Sequence, residues 1–173
     1  IERFGVDVYA FDPTPSTNDW LAARKLPENF RFYPWAVAAQ NGSLQLYPRL
    51  KKDGSRSKVM YTMIDDGASE AEAINVPAVS LPAIAKRLGH RQVDLLKMDI
   101  EGAEYEVLDN LLQSAVQPKQ LLVEFHHRFS GIGPERTSAM IARLEKNGYR
   151  LIAVSETGRE LSFLHACDEE QCP

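Results

Sequence analysis

With 173 residues, 44% of them apolar and 25% charged, the chain has the make-up of one compact domain rather than a disordered or fibrous segment. Twenty Lys and Arg against 24 Asp and Glu leave a net charge of −4, so there is no electrostatic footprint for a phosphate backbone and nucleic acid is not the expected partner. No run of about 18 apolar residues occurs, and the opening IERFGVDVYAF lacks the basic start and long apolar stretch of a signal peptide; the expectation is a soluble chain in the cytoplasm with no membrane partner.

VDVYAF at 6 to 11 alternates and is rich in β-branched and aromatic residues, which predicts a strand ended by Asp12 and Pro13. A helix follows, with Ser16 and Asp19 spaced as a capping box and Trp20, Leu21 and Leu26 on its apolar side. RFYPWAVAAQ at 31 to 40 reads as one Pro-interrupted strand, and Asn41-Gly42 as a hairpin turn joining it to SLQLYP. The stretch from about 48 to 76 holds the polar PRLKKDGSRSK, a strand at KVMYTMI and the polar DDGASEAEA. It reads as an insertion able to select a substrate within a single domain spanning 1 to 173.

SLPAIAKRLG predicts a short helix stopped by Gly89, VDLLKM a strand, and AEYEVLDNLLQSA a helix with Val107, Leu108, Leu111 and Leu112 on one face. LLVEF at 121 to 125 is the next strand, HHRFSGIGP a loop and ERTSAMIARLEKNG a helix. YRLIAVS and ELSFLH close the order as a hairpin across ETGR. Strands alternating with helices imply a largely parallel sheet covered on both faces. Cys167 and Cys172 are neither CxxC nor joined by further ligands, so they read as tail residues, and so few cysteines suit a reducing compartment.

DLLKMDIEGAEYEVL at 94 to 108 passes from a core strand into dense charge. In open parallel sheets ligands sit beyond the carboxyl ends of the strands, so Asp99 and Glu101 become candidates, together with Asp12, Glu124 and His126 at the ends of two other strands. A structural reading competes: acids in a first helical turn favour the helix dipole, and Asp before Pro begins turns. Lys97 inside an apolar strand demands a partner or a shifted pKa if it is buried.

VYAFDPTP at 8 to 15, VDLLKMDIEGAEYEVL at 93 to 108 and LLVEFH at 121 to 126 resemble the FkbM-type methyltransferases, which use S-adenosylmethionine on a Rossmann-like class I fold. The resemblance implies an α/β sandwich, mostly parallel, with a C-terminal antiparallel hairpin. It further implies methyl transfer to a hydroxyl of a small molecule or sugar, with Asp12 on the cofactor's ribose, Pro13, Val37 and Asp99 also at the cofactor, and Asp99, Glu101 and His126 as catalytic residues. In such a fold a first strand and a Gly-rich turn precede the element that opens this sequence, so the resemblance implies an N-terminally incomplete chain. Many class I enzymes offer an acid to the adenine after the third strand, where this sequence has WAVAAQNG, so adenine recognition would rest on backbone groups, apolar contact or Gln40.

Three rival readings remain open. GIG at 131 to 133 resembles half of an NAD-binding fingerprint, but Arg136 stands where the third glycine belongs and HHRFS separates it from its strand. Asp99, Glu101, Glu124, His126 and His127 could hold a divalent metal, the less favoured cofactor; adjacent histidines on extended chain face opposite ways, which leaves His127 structural. A methyltransferase-like interaction module without catalysis is the third.

Overall fold

A computed structural model describes residues 1, 3–51, 53–63 and 72–166, which divide into two compact units, Ile1–Val79 and Ser80–Pro173. Cys167 and Cys172, and most of DDGASEAEA, lie outside the described residues.

In the first unit β1 (Val8–Phe11) runs parallel to β2 (Phe30–Tyr33), with α1 (Pro15–Ala22) in the connection between them. Pro15 stands in the first turn of α1, where its missing N–H costs nothing, and Thr14 is the N-cap. The expected capping box of Ser16 and Asp19 does not form: the helix starts earlier, and Thr14 makes no side-chain cap hydrogen bond. Leu21 is the buried residue of α1, whereas Trp20 and Leu26 are exposed and Arg24 lies over the Trp20 ring at 3.6 Å.

Pro34 lacks a ladder donor and restricts the residue before it, so RFYPWAVAAQ is not one strand. β2 ends at Tyr33, and β3 (Ala36–Ala38) joins a different sheet with β4 (Gly42–Leu50), β5 (Arg56–Thr62) and β6 (Ile74–Ser80), in the order β3-β6-β4-β5. The hairpin expected at Asn41-Gly42 does not form, because β6 lies between β3 and β4 and Gly42 pairs with Ala78. Burial explains the outcome: Ala36, Leu46 and Val76, one from each of these strands, make a core to which Leu44, Tyr61, Met63 and Ile74 add. Within KKDGSRSK, Arg56 already begins β5, and ahead of it the Asp53 carboxylate accepts from the Ser55 N–H at 2.9 Å and its hydroxyl at 2.7 Å.

The second unit opens with α2 (Leu81–Leu88), closed as expected by Gly89 in the left-handed region. β7 (Leu95–Met98) runs parallel to β8 (Gln120–Glu124) with α3 (Glu104–Leu112) between them. α4 (Pro134–Lys146) then leads to β9 (Tyr149–Val154) and β10 (Glu160–His165). The sheet order is β7-β8-β10-β9. The unit's core is dry: Met98, Leu121, Val123, Leu161 and Phe163 of the strands and Val107, Leu108, Leu111, Met140 and Leu144 of the helices are all buried. Tyr149 is buried at the start of β9; its hydroxyl donates to the Pro118 carbonyl at 3.0 Å, and burial pushes its pKa up to about 12.

Three expectations change here. β4 is antiparallel to β5 and β6, and β10 is antiparallel to β8 as well as to β9, its expected hairpin partner, so the sheets are mixed rather than mostly parallel; the short connections from β4 to β5 and from β9 to β10 cannot make the crossovers that parallel neighbours need. The far face of the second unit's sheet is not buried, since Leu95, Ile152 and Val154 are about half exposed, at 52%, 52% and 54%. Lys97 is exposed on the edge strand β7, so its charge stays in water and calls for no buried partner. Among the described residues no helix is long and apolar enough to cross a membrane.

Leu108, fully buried on α3, reports on this packing. Leu108→Ala should lower the unfolding free energy by about 3 kcal/mol through lost burial and a residual cavity. A shift of the urea midpoint equivalent to under about 1 kcal/mol would show that the helix face is not the core described.

Candidate active site

The strand β7 stops at Met98, and the backbone reverses through Glu101 and Gly102, whose φ angles are +54° and +106°. The Ala103 N–H reaches back to the Ile100 carbonyl at 3.4 Å, which closes the turn. Two central residues at positive φ make the side-chain-free Gly102 natural there, whereas Glu101 carries a side chain in a conformation that L-residues avoid.

Glu104, the first residue of α3, is the anchor of this turn. Its side chain is fully buried, and Oε1 accepts from the N–H groups of Ile100 and Gly102, each at 3.1 Å. The same oxygen stands 2.8 Å from Nδ1 of His126, which follows β8. A carboxylate accepts only, so Nδ1 carries the hydrogen in this contact. His126 is itself buried at 5% exposure, with its ring against Phe129.

With Nδ1 committed to Glu104, Nε2 points the other way, at Glu101 Oε2 (3.4 Å) and Asp99 Oδ1 (3.8 Å). The side chain of Asp99 is 41% exposed and that of Glu101 23%, so the trio runs from the core out to solvent. Burial by itself would lower the pKa of His126. The hydrogen bond to Glu104, and then the charges of Glu104, Glu101 and Asp99, outweigh it and raise the pKa above 6.5. One ligand-type atom from each of Asp99, Glu101 and His126 lies within 4.8 Å of the other two. Such a cluster can take a proton from a hydroxyl or hold a cation.

The three residues expected to be catalytic are therefore brought together, by the ends of β7 and β8. Glu124 is not with them: it faces Arg159 at 3.3 Å. His127 is half-buried with Nδ1 3.4 Å from the Thr137 hydroxyl, a structural placement. In the first unit Asp12 follows β1, and both its oxygens serve the start of α1, Oδ1 accepting from the Thr14 N–H at 2.8 Å and Oδ2 from the Thr17 hydroxyl at 2.7 Å. Each oxygen keeps a further lone pair for a diol. Pro13 beside it and Val37 on β3 are half-buried, and Gln40 is exposed. Gly133 serves as the N-cap of α4, the plain-loop alternative to a dinucleotide turn.

Sequence reasoning missed Glu104. An acid in the first turn of a helix reads as a dipole partner at the surface, and only its place two residues after Gly102 hinted that it could fold back under the turn.

Parallel strands joined by helices, with acids and a buried histidine beyond their carboxyl ends, define an α/β domain of the kind that does chemistry at strand ends. The chain belongs to the FkbM methyltransferase family: the profile described as "Methyltransferase FkbM domain" matches residues 3–151. It is 33% identical over 162 residues to the probable methyltransferase-like protein 24 of Rattus norvegicus, covering 85% of this chain and 36% of that protein. It is 33% identical over 81 residues to the Homo sapiens protein of the same name, covering 41% of this chain and 22% of that protein. A third similarity, 28% over 108 residues, is to the antimetabolite synthetase AmbE of Pseudomonas aeruginosa, covering 62% of this chain and 5% of that protein. The chain thus spans about a third or less of each of these relatives. No solved structure matches it.

Since the folded pKa of His126 is raised, its contribution to stability is whole below about pH 6.5, the ordinary value, and is lost as pH climbs through the folded value. In chelator-treated protein the urea midpoint should therefore fall from about pH 6.5 upward, and His126→Asn should flatten that fall. A wild-type midpoint that stays level or rises over the range would contradict the charge arrangement.

Proposed function

We propose that this chain is the catalytic region of an S-adenosylmethionine-dependent O-methyltransferase acting in the cytoplasm on a hydroxyl of a small molecule or glycan. The observation that carries the reading is the clamp of Glu104 on His126 Nδ1, which fixes the ring so that Nε2 faces Asp99 and Glu101. Family membership supplies the reaction class. AmbE is by name an antimetabolite synthetase, in keeping with a small-molecule acceptor.

S-adenosylmethionine, when bound, would supply a methyl group on a sulfonium leaving group, released as S-adenosylhomocysteine when the acceptor oxygen takes the methyl in line. In this reading neutral His126 would take the acceptor hydroxyl's proton on Nε2. Sulfonium chemistry needs little activation of the leaving group, so the protein's work is alignment and proton removal. Asp12 would accept from the ribose hydroxyls, with Pro13 and Val37 of the same unit beside the cofactor. The stretch from about 48 to 76 would select the acceptor.

Calorimetric titration with S-adenosylhomocysteine, with NAD as the control, should give one saturable site for the former alone. Asp12→Asn keeps an oxygen for the Thr14 N–H and should weaken that site about 10-fold, the order expected for losing a charged partner of a diol. Absence of binding by S-adenosylhomocysteine would favour an interaction module that keeps the fold without the chemistry.

A further inference from the structure

We propose that Asp99, Glu101 and His126 form a binding site for one divalent first-row metal ion, Mn²⁺ being the best chemical match, with Glu104 as the residue that orients the imidazole. The separations among the donor atoms are the first argument. His126 Nε2 is 3.4 Å from Glu101 Oε2 and 3.8 Å from Asp99 Oδ1, both longer than the roughly 2.7–3.2 Å of an N–H···O hydrogen bond. Donors bound about 2.1 Å from one ion lie roughly 3.0 Å apart in an octahedron and 3.4 Å in a tetrahedron, so the His126–Glu101 pair has the spacing of two donors on one ion, and the pair with the exposed Asp99 lies a little beyond it.

The second argument is independent of the acids. His126 is about nineteen-twentieths buried and its Nδ1–H is given to Glu104, so the lone pair left on Nε2 is aimed at two carboxylates. In the neutral imidazole that lone pair faces two anions, an arrangement that favours a cation among them as it favours a proton on Nε2, and a carboxylate behind the imidazole is the usual support of a metal-bound histidine. Glu104 has that position and is held there by two backbone N–H groups.

The donor set chooses the ion. One imidazole with two carboxylates is too hard for Cu⁺ and, with its nitrogen, suits a transition ion over Ca²⁺ or Mg²⁺. Two carboxylates balance a double positive charge, and the exposed Asp99 leaves room on the solvent side for water or an acceptor oxygen.

The metal site stands by itself, but its use rests on the methyltransferase reading. With an ion bound, Nε2 is a ligand and not the base. The ion's charge then makes a coordinated hydroxyl acidic enough to lose its proton to water before the oxygen attacks the methyl carbon.

The test uses protein stripped with a chelator and titrated with Mn²⁺, followed by the paramagnetic resonance of free Mn²⁺. One saturable ion per chain is expected. Asp99→Asn, a change at the exposed end of the trio that leaves folding intact, and Glu101→Gln should each weaken it at least 10-fold. Glu104→Gln should weaken it about 10- to 100-fold, the range for removing a carboxylate behind a ligand. Glu124→Gln, which alters the acid facing Arg159, should leave it unchanged. Circular dichroism verifies that each variant is folded. Absence of saturable binding, or binding that Asp99→Asn and Glu101→Gln leave intact, overturns the site. Titrating S-adenosylhomocysteine into the same stripped samples separates the two ideas: its binding without Mn²⁺ binding removes the metal and keeps the methyltransferase, while Mn²⁺ binding alone does the reverse.

Discussion

One buried oxygen organises the candidate site. Glu104 Oε1 meets Ile100 N–H, Gly102 N–H and His126 Nδ1, so a single atom ties the turn after β7 to the residue after β8. Placing a carboxylate in a fully buried position is costly unless such donors surround it. That cost makes the arrangement all-or-none: without the turn the oxygen loses two of its donors, and without the oxygen the turn and the imidazole lose their common fixed point. Its other oxygen, Oε2, is buried with no hydrogen-bond partner among the described residues, so the demand on the Oε1 side is greater still.

A second layer stiffens the support. The Tyr105 hydroxyl lies 2.8 Å from that of Thr137, joining α3 to α4 in the buried interior, and Arg136 covers the Tyr105 ring while pairing with Glu106. Tyr105 also packs on Phe125, the residue before His126. The residues on either side of the key pair, Tyr105 beside Glu104 and Phe125 beside His126, thus touch each other. Two helices and a strand end therefore fix the ring position of His126, which suits a group whose use depends on direction.

What the sequence disclosed followed from local signals. Alternation and apolar faces marked β1, β7, β8, α3 and α4, and charge at strand ends marked Asp99, Glu101 and His126, because those features act over a few residues. What it hid depended on distant partners. Pro77 sits inside β6, between β3 and β4, where a proline argues against an interior strand; burial of Val76, Ala78 and Val79 prevails over the lost donor. The turn chemistry of Asn41-Gly42 is overridden by the same strand. Lys97 looked buried because its neighbours are apolar, yet β7 is an edge. Glu104 was invisible because nothing in its neighbourhood states that a histidine 22 residues later will need its oxygen.

Glu101 shows where folding and chemistry part company. Its backbone, at a φ of +54°, would be more at ease with glycine or asparagine, by roughly 1 kcal/mol for the side-chain clash avoided. Either replacement would remove the carboxylate facing His126. Random mutagenesis screened only for thermal resistance should therefore enrich changes at position 101 and return tougher proteins with a blunted site, whereas a screen for turnover should restore glutamate. A stabilised form of this domain, if ever wanted as a scaffold, has its simplest starting point at the residue its chemistry can least spare.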